Sequence, residues 1–139
     1  MIVLDASALI DVALAQRKVK WILDQIAGED VAAPAHQPAE VLSALVRMVR
    51  AEALTPDGAR KALDAAMGIP QQLVPPSAAH VRRAFALREH IRVADGLYVA
   101  LADELSCPLV TTDRRLAGAH APCEVRVPPS GSVPPPREG

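Results

Sequence analysis

The first apolar run of the chain, Ile2–Leu4, is too short for a buried helix and predicts a strand covered on both faces. Apolar residues then recur at helical spacing between Leu9 and Ile26, which predicts a helical hairpin or a broken helix. Residues 31–33 predict a second short strand, which Pro34 ends. The chain therefore opens with two short apolar strands separated by helical sequence.

The same alternation continues along the chain. An amphipathic helix begins at Pro38, and another has Thr55 as its N-cap and runs to about Met67. Residues 71–75 predict a weak third strand. Ser77 is placed to cap the next helix, whose spacing predicts an apolar face of Val81, Phe85, Leu87 and Ile91.

The last third of the chain completes an α/β pattern. Asp95 opens a helix, residues 108–113 predict a strand that ends on an acid, and residues 124–127 predict the last strand. Helices that alternate with short strands predict a parallel sheet covered on both faces. From Pro128 onward, five prolines with Gly and Ser predict a tail that does not pack. We expect one domain over residues 1–127 and a disordered Pro-rich tail over residues 128–139.

Composition limits how nucleic acid could be bound. The 15 Lys and Arg residues are balanced by 16 Asp and Glu residues, so no overall basic field attracts nucleic acid, although a local patch would be enough. Trp21, Phe85 and Tyr98 are the only aromatic residues, which disfavours binding by base stacking. Any nucleic acid would therefore be held through phosphate contacts and metal.

Cysteine usage and hydropathy favour an intracellular protein. Cys107 and Cys123 form no CxxC motif, which argues against a zinc site and favours a reduced, cytosolic environment. Asp5 and Asp11 interrupt any apolar segment of a signal peptide, and no apolar run reaches membrane-spanning length. We expect a soluble, cytoplasmic protein with no membrane partner.

Four acids lie at predicted element boundaries. Asp5 and Asp113 end strands, whereas Glu40 and Asp95 begin helices. In a parallel sheet, strand ends and the following helix starts lie at one edge, so the four carboxylates could converge. Taken singly, each acid also has a structural explanation as a helix cap, a dipole partner or a turn acid. The joint pattern favours a site.

Converging carboxylates would need a cation. Two carboxylates about 4 Å apart repel by roughly 4 kcal/mol at an effective dielectric constant near 20. A hard divalent cation such as Mg²⁺ or Mn²⁺ relieves that repulsion, keeps some waters and binds a phosphate oxygen. Such a metal can generate an attacking hydroxide and stabilise the leaving oxygen in phosphodiester hydrolysis.

These residues resemble a known family. The segments Asp5-Ala-Ser-Ala-Leu-Ile, Asp95-Gly-Leu-Tyr-Val-Ala-Leu-Ala and Leu109-Val-Thr-Thr-Asp-Arg-Arg-Leu, with Glu40 at the head of a helix, resemble the PIN domain. Within it they are most similar to the VapC toxins of bacterial type II toxin–antitoxin modules, over residues 1 to about 127. The resemblance implies a three-layer α/β/α sandwich with a central parallel sheet of four to five strands, and Mg²⁺- or Mn²⁺-dependent endoribonuclease activity.

The resemblance also implies roles for single residues. The positions of the family's metal-binding acids are matched by Asp5, Glu40, Asp95 and Asp113, and those of its small hydroxyl residues beside the metal by Ser7 and Thr111. The implied partners are RNA, a second copy of the chain, and a small VapB-like antitoxin whose C-terminal segment enters the acidic pocket. With the antitoxin, a heterotetramer or larger assembly is implied.

The chain departs from the family pattern at three positions. Gly96 stands where relatives usually carry Ala, Arg92 stands where a Ser or Thr cap is common, and Leu116 stands where some relatives have another acid. A glycine in a first helical turn costs up to about 1 kcal/mol of helix stability. At Arg92, either the helix start is looser or the side chain serves phosphate binding. None of the departures removes a main acid.

Arginines near the acids are candidates for phosphate binding. Arg114 and Arg115 directly follow the last acid and are equally well explained as solvated turn charges, while Arg47 lies two helical turns after Glu40. The rival function is a non-catalytic PIN-like module that binds RNA or a partner. An Asp-based phosphotransfer enzyme is disfavoured, because no Lys follows Lys61 and Asp5 is not part of an acid pair.

Overall fold

The computed structural model describes residues 1–130, which form five strands and seven helices in alternation. The strands are β1 (Ile2–Leu4), β2 (Val31–Pro34), β3 (Gln72–Val74), β4 (Leu109–Val110) and β5 (Val125–Arg126). The helices are α1 (Ala6–Ala13), α2 (Val19–Ile26), α3 (Gln37–Arg50), α4 (Pro56–Met67), α5 (Ala78–Ala86), α6 (Val93–Glu104) and α7 (Arg114–Ala117).

The strands form one sheet in the order β3-β2-β1-β4-β5, and every neighbouring pair is parallel. β1 lies at the centre, where Val3 is in register with Ala32 on one side and with Leu109 on the other. The chain builds outward through β2 and β3 in one direction and through β4 and β5 in the other. The strand order therefore reverses between β1 and β4, and ligands bind at the carboxyl ends of strands beside such a reversal.

Helices cover both faces of the sheet, which confirms the predicted three-layer α/β/α sandwich. Alternation along β1 sends Ile2 and Leu4 into a cluster with α1, α2, α3 and α4, and sends Val3 into a second cluster with α6 and α7. All three side chains are at most 1% exposed. Each such burial contributes roughly 1.5–3 kcal/mol, so β1 is held from both sides.

Several predicted boundaries are confirmed and two are corrected. Thr55 and Ser77 cap α4 and α5 as predicted, accepting backbone N–H bonds of 3.0 and 3.1 Å. Pro34 is the last residue of β2 rather than the residue that follows it. The prediction that Asp113 ends a strand is wrong, because β4 stops at Val110 and Asp113 is the N-cap of α7.

The predicted apolar face after Ser77 is wrong for its first two residues. Val81 and Phe85 are 54% and 64% exposed, whereas His80 and Ala84 are buried. Leu87 and Ile91, which follow α5, pack into the core as predicted. α5 packs against α6 through its small residue Ala84, and His80 is fixed by the Ser77 capping box and by Glu104, 2.9 Å away. The buried side of α5 is therefore set by its close contact with α6 and not by the spacing of its large apolar residues.

Gly96 is explained by that close packing. A Cβ built on Gly96 would lie 3.1 Å from both Cα and Cβ of Ala84. Arg92, at the N-cap of α6, makes no side-chain capping bond, as the departure from the family pattern suggested. The glycine lets α5 approach the start of α6 next to Asp95.

The folded chain continues to Pro128, which is buried and whose carbonyl accepts a 2.6 Å hydrogen bond from Arg114 Nη1. Pro128 was assigned to the predicted tail, of which residues 131–139 lie outside the described residues. In the part of the chain that is described, no helix has the length and apolarity needed to cross a membrane.

Replacing Gly96 with Ala should lower the free energy of unfolding by up to about 2 kcal/mol. The added methyl gains about 1 kcal/mol of helix propensity but overpacks the α5–α6 contact, which costs about 1–3 kcal/mol. Urea denaturation measures the change. Gly58→Ala is the matched control, since the atoms nearest to its new Cβ belong to the side chains of Leu54 and Thr55 and not to the backbone of another helix. A Gly96→Ala protein more stable than the parent would contradict this account.

Candidate active site

A pocket of about 460 Å³ lies beyond the carboxyl ends of β1 and β4. The four acids predicted from the sequence all line it: Asp5, Glu40, Asp95 and Asp113. Asp5 directly follows β1, Asp113 is the N-cap of α7 beyond the end of β4, and Glu40 and Asp95 lie in the first turns of α3 and α6. The four acids thus line one cavity, which we call the acid pocket.

Asp5 is the most deeply buried of these acids. Its side chain is only 4% exposed and caps α1, accepting hydrogen bonds from Ala8 N at 2.9 Å and Ser7 Oγ at 2.7 Å on one oxygen. The Thr111 hydroxyl donates to the other oxygen. Asp5 thus serves as both a helix cap and a member of the acid pocket, and the two explanations do not exclude each other.

The pKa of Asp5 is raised to about 6. Burial is the main cause, and the nearby charge of Asp95 adds to it. The bonds from Thr111, Ala8 and Ser7 act in the opposite direction without cancelling the effect of burial. A positive charge in the pocket would favour the ionised form.

Hydrogen bonds of Ser7 and Thr111 connect the segments that follow β1 and β4, which carry Asp5 and Asp113. Their hydroxyl oxygens lie 3.2 Å apart, and both bond to Asp5. Ser7 Oγ also accepts from Thr112 N at 3.3 Å, and Thr111 Oγ1 accepts from Asp113 N at 3.0 Å. The predicted supporting residues therefore fix the position of Asp5 relative to Asp113.

Glu40 is held by two side chains that the sequence analysis did not select. The buried Tyr98 donates its hydroxyl to Glu40 Oε1 at 2.7 Å. His36 Nε2 lies 3.2 Å from the same oxygen, and the His36 and Tyr98 rings pack with centroids 5.0 Å apart. Burial acts to raise the pKa of Glu40, but His36 and Tyr98 outweigh it and hold the pKa below its ordinary value. Glu40 is therefore kept ionised.

Asp95 and Asp113 are each paired with an arginine. Arg92 Nε lies 3.1 Å from Asp95 Oδ2. The Arg115 guanidinium binds Asp113 with two bonds, Nε to Oδ1 at 3.1 Å and Nη2 to Oδ2 at 2.9 Å, and the Arg115 backbone N–H donates to Oδ1 at 3.0 Å. The pKa of Asp113 is lowered, mainly by its bonds with Arg115.

The three arginines predicted to bind substrate lie in different surroundings. Arg47 lines the acid pocket. Arg115 is bound to Asp113, and Arg114 donates to the carbonyl of Pro128; neither lines the pocket.

The polar pocket residues that the site prediction missed or left open are His36, Ser43, Arg92 and Tyr98. Tyr98 carried a usable signal, because it stands one helical turn after Asp95 on an apolar helix, and a buried tyrosine hydroxyl requires a partner. No feature of the sequence distinguished His36 from the other histidines.

Comparison with known proteins decides the family. A model of the PIN domain matches residues 2–120 of the chain. The chain belongs to the PIN domain family. This PIN domain is 37% identical to ribonuclease VapC12 of Mycobacterium tuberculosis over 120 residues, which cover 86% of this chain and 92% of that relative. The predicted likeness to the VapC proteins is confirmed.

Solved structures share the fold. VapBC2 from Rickettsia felis, bound to a DNA fragment from its promoter, matches this PIN domain with a TM-score of 0.67 at 15% identity, covering 91% of this chain and 98% of that chain. A toxin–antitoxin complex from Klebsiella pneumoniae matches with a TM-score of 0.62 at 22% identity, covering 93% and 98%. At these identities the likeness concerns the fold alone.

The donor set of this PIN domain fits a hard divalent cation. Every acid in the pocket offers carboxylate oxygens, which suit Mg²⁺ and Mn²⁺, and the raised pKa of Asp5 shows that its charge lacks full compensation. Among residues 1–130, no three Asp, Glu, His or Cys side chains lie close enough together to enclose an ion. One or two direct carboxylates with waters, the usual coordination of Mg²⁺, fit the pocket better than a closed cage.

The raised pKa of Asp5 makes a prediction about stability in EDTA. The folded state retains a proton between the ordinary pKa of 3.8 and about 6, so Asp5 stabilises the fold at low pH and loses that contribution as pH rises. Between about pH 4 and about pH 7, the unfolding free energy of the parent should fall by up to about 3 kcal/mol more than that of Asp5→Asn. Urea denaturation across this range measures the difference. A difference between the two proteins that does not change with pH would show that burial does not raise the pKa of Asp5.

Proposed function

We propose that this PIN domain is a divalent-metal-dependent endoribonuclease that hydrolyses RNA phosphodiester bonds in the acid pocket. The observation that carries the proposal is the buried carboxylate of Asp5, held by three hydrogen bonds in a pocket that it shares with three other acids. A purely structural cap would not need three further carboxylates beside it. The similarity to proteins named ribonuclease VapC supports the same reaction.

Asp5, Glu40, Asp95 and Asp113 are the residues that would hold Mg²⁺ or Mn²⁺. Such an ion would supply activation of a water for attack on phosphorus and stabilisation of the negative charge on the leaving oxygen. Each supporting residue then has a defined task. Ser7 and Thr111 keep Asp5 oriented, as partners of metal-binding side chains generally do, and Tyr98 keeps Glu40 ionised.

RNA would be recognised mainly through its phosphates. The formal net charge of the chain is −1, so long-range attraction is weak and local contacts must position the strand. Arg47 lines the pocket and can contact a phosphate next to the scissile bond.

We further propose that the activity is that of a toxin held in check by a small antitoxin, with a homodimer of this chain as the assembling unit. The name of the Klebsiella pneumoniae complex and the names of the VapC relatives support this assignment. Large apolar side chains left exposed among the described residues are consistent with partner surfaces, including Leu42, Val46, Val81 and Phe85.

Asp95→Asn tests the proposed reaction. The change removes one ionised oxygen from the acid pocket, so cleavage of structured RNAs in Mg²⁺ or Mn²⁺ should fall by more than the roughly 10–100-fold that loss of an outer partner costs. EDTA should abolish cleavage by the parent protein. The assay is gel electrophoresis of RNA after incubation with identically purified proteins.

The matched control is Asp24→Asn, which removes an exposed acid of α2 that is paired with Lys20, and it should leave cleavage unchanged. Cleavage that persists in Asp95→Asn would reject the proposed site. A protein that binds metal but cuts no RNA, and that arrests growth equally with and without Asp95→Asn, would be the non-catalytic binding module.

A further inference from the structure

A second, smaller cleft adjoins the acid pocket. It has a volume of about 170 Å³ and lies between the turn before α6 and helix α7. Arg92, Asp95 and Asp113 line both cavities, so they form the boundary between them. The remaining polar side chains of the cleft are Arg115 and His90.

The two arginines of this cleft are the ones that bind its two acids. Arg92 pairs with Asp95, and Arg115 pairs with Asp113 through two bonds. The arginine side chains are 67% and 79% exposed, whereas the acids are only 14% and 23% exposed. Ion pairs with so much water around one partner are weak and exchange readily.

Charge balance makes the cleft a poor anion site in this arrangement. Two arginines and two carboxylates cancel, so an incoming phosphate meets no net positive charge. A divalent cation on the boundary acids would neutralise both carboxylates and leave the two guanidinium groups without their partners. The same cleft would then present two forked donors, which match the geometry of a phosphate.

We propose that Arg92 and Arg115 form a phosphate-binding site for the RNA strand that becomes available only when a divalent cation occupies Asp95 and Asp113. This inference rests on the proposed function, because it takes the acid pocket to be a cation site and RNA to be the ligand. It assigns the strand a path from the acid pocket across the boundary acids towards His90. Cation and substrate thus bind in a coupled way, since each removes a charge that opposes the other.

The coupling can be measured without cleavage. The probe is a fluorescein-labelled short single-stranded RNA, whose binding is followed by anisotropy with and without Mn²⁺ and whose integrity is checked on a gel. Mn²⁺ should tighten binding to the parent at least about 10-fold, and Arg92→Ala and Arg115→Ala should each lose most of that gain. Each variant should also reduce the dependence of log affinity on log salt by about 0.7.

Two matched controls separate this effect from a general loss of positive charge. Arg126→Ala breaks an ion pair with Glu124, two residues away, and so matches the pair of Arg115 with Asp113. Arg60→Ala breaks an ion pair with Asp57, three residues away, and so matches the pair of Arg92 with Asp95. Both should keep the Mn²⁺-dependent gain. Direct Mn²⁺ titration by electron paramagnetic resonance should show that Arg115→Ala binds Mn²⁺ several-fold more tightly, because a competing cation has been removed.

The outcomes distinguish this inference from the function on which it rests. If the parent binds Mn²⁺ and cuts RNA while the Arg92 and Arg115 variants behave like the controls, the phosphate site is rejected and the proposed reaction stands. If the parent neither binds Mn²⁺ nor cuts RNA, the proposed function fails and this inference fails with it.

Discussion

The burial of one carboxylate, Asp5, is the constraint on which the rest of the site depends. β1 is the central strand of a parallel sheet, and both of its faces are covered, so the residue at its carboxyl end enters a desolvated environment. Its neighbours Ser7 and Thr111 satisfy its oxygens but do not supply a positive charge. The fold therefore fixes an acid at a position where burial opposes its charge.

The charges of the remaining acids are stabilised by two different kinds of neighbour. Glu40 is kept ionised by its own uncharged or weakly basic neighbours, Tyr98 and His36, and its position is set by the contact between α3 and α6. Asp95 and Asp113 are instead balanced by exposed arginines that water can separate from them. Glu40 is thus held by largely buried side chains, whereas Asp95 and Asp113 are held by exposed arginines.

Local patterns predicted most of the framework. The apolar run of β1, the caps at Thr55 and Ser77 and the acids at element boundaries all depend on a few consecutive residues, and the parallel sheet follows from their alternation. The face of α5 was predicted wrongly because Ala84 packs against Gly96, and that contact is visible only when both helices are in place. The hydrogen bond from Tyr98 to Glu40 was not predicted for the same reason, since it joins residues 58 positions apart.

The central claim, that the acid pocket is a divalent cation site, is tested most directly by nuclear magnetic resonance during Mn²⁺ titration. A paramagnetic ion broadens the signals of nearby amides, so substoichiometric Mn²⁺ should erase the backbone signals of Ala6, Ser7 and Thr112 first. Amides at the opposite ends of the central strands, such as those of Asp30 and Cys107, should remain sharp. Broadening that begins elsewhere, or no broadening at all near neutral pH, would contradict the account.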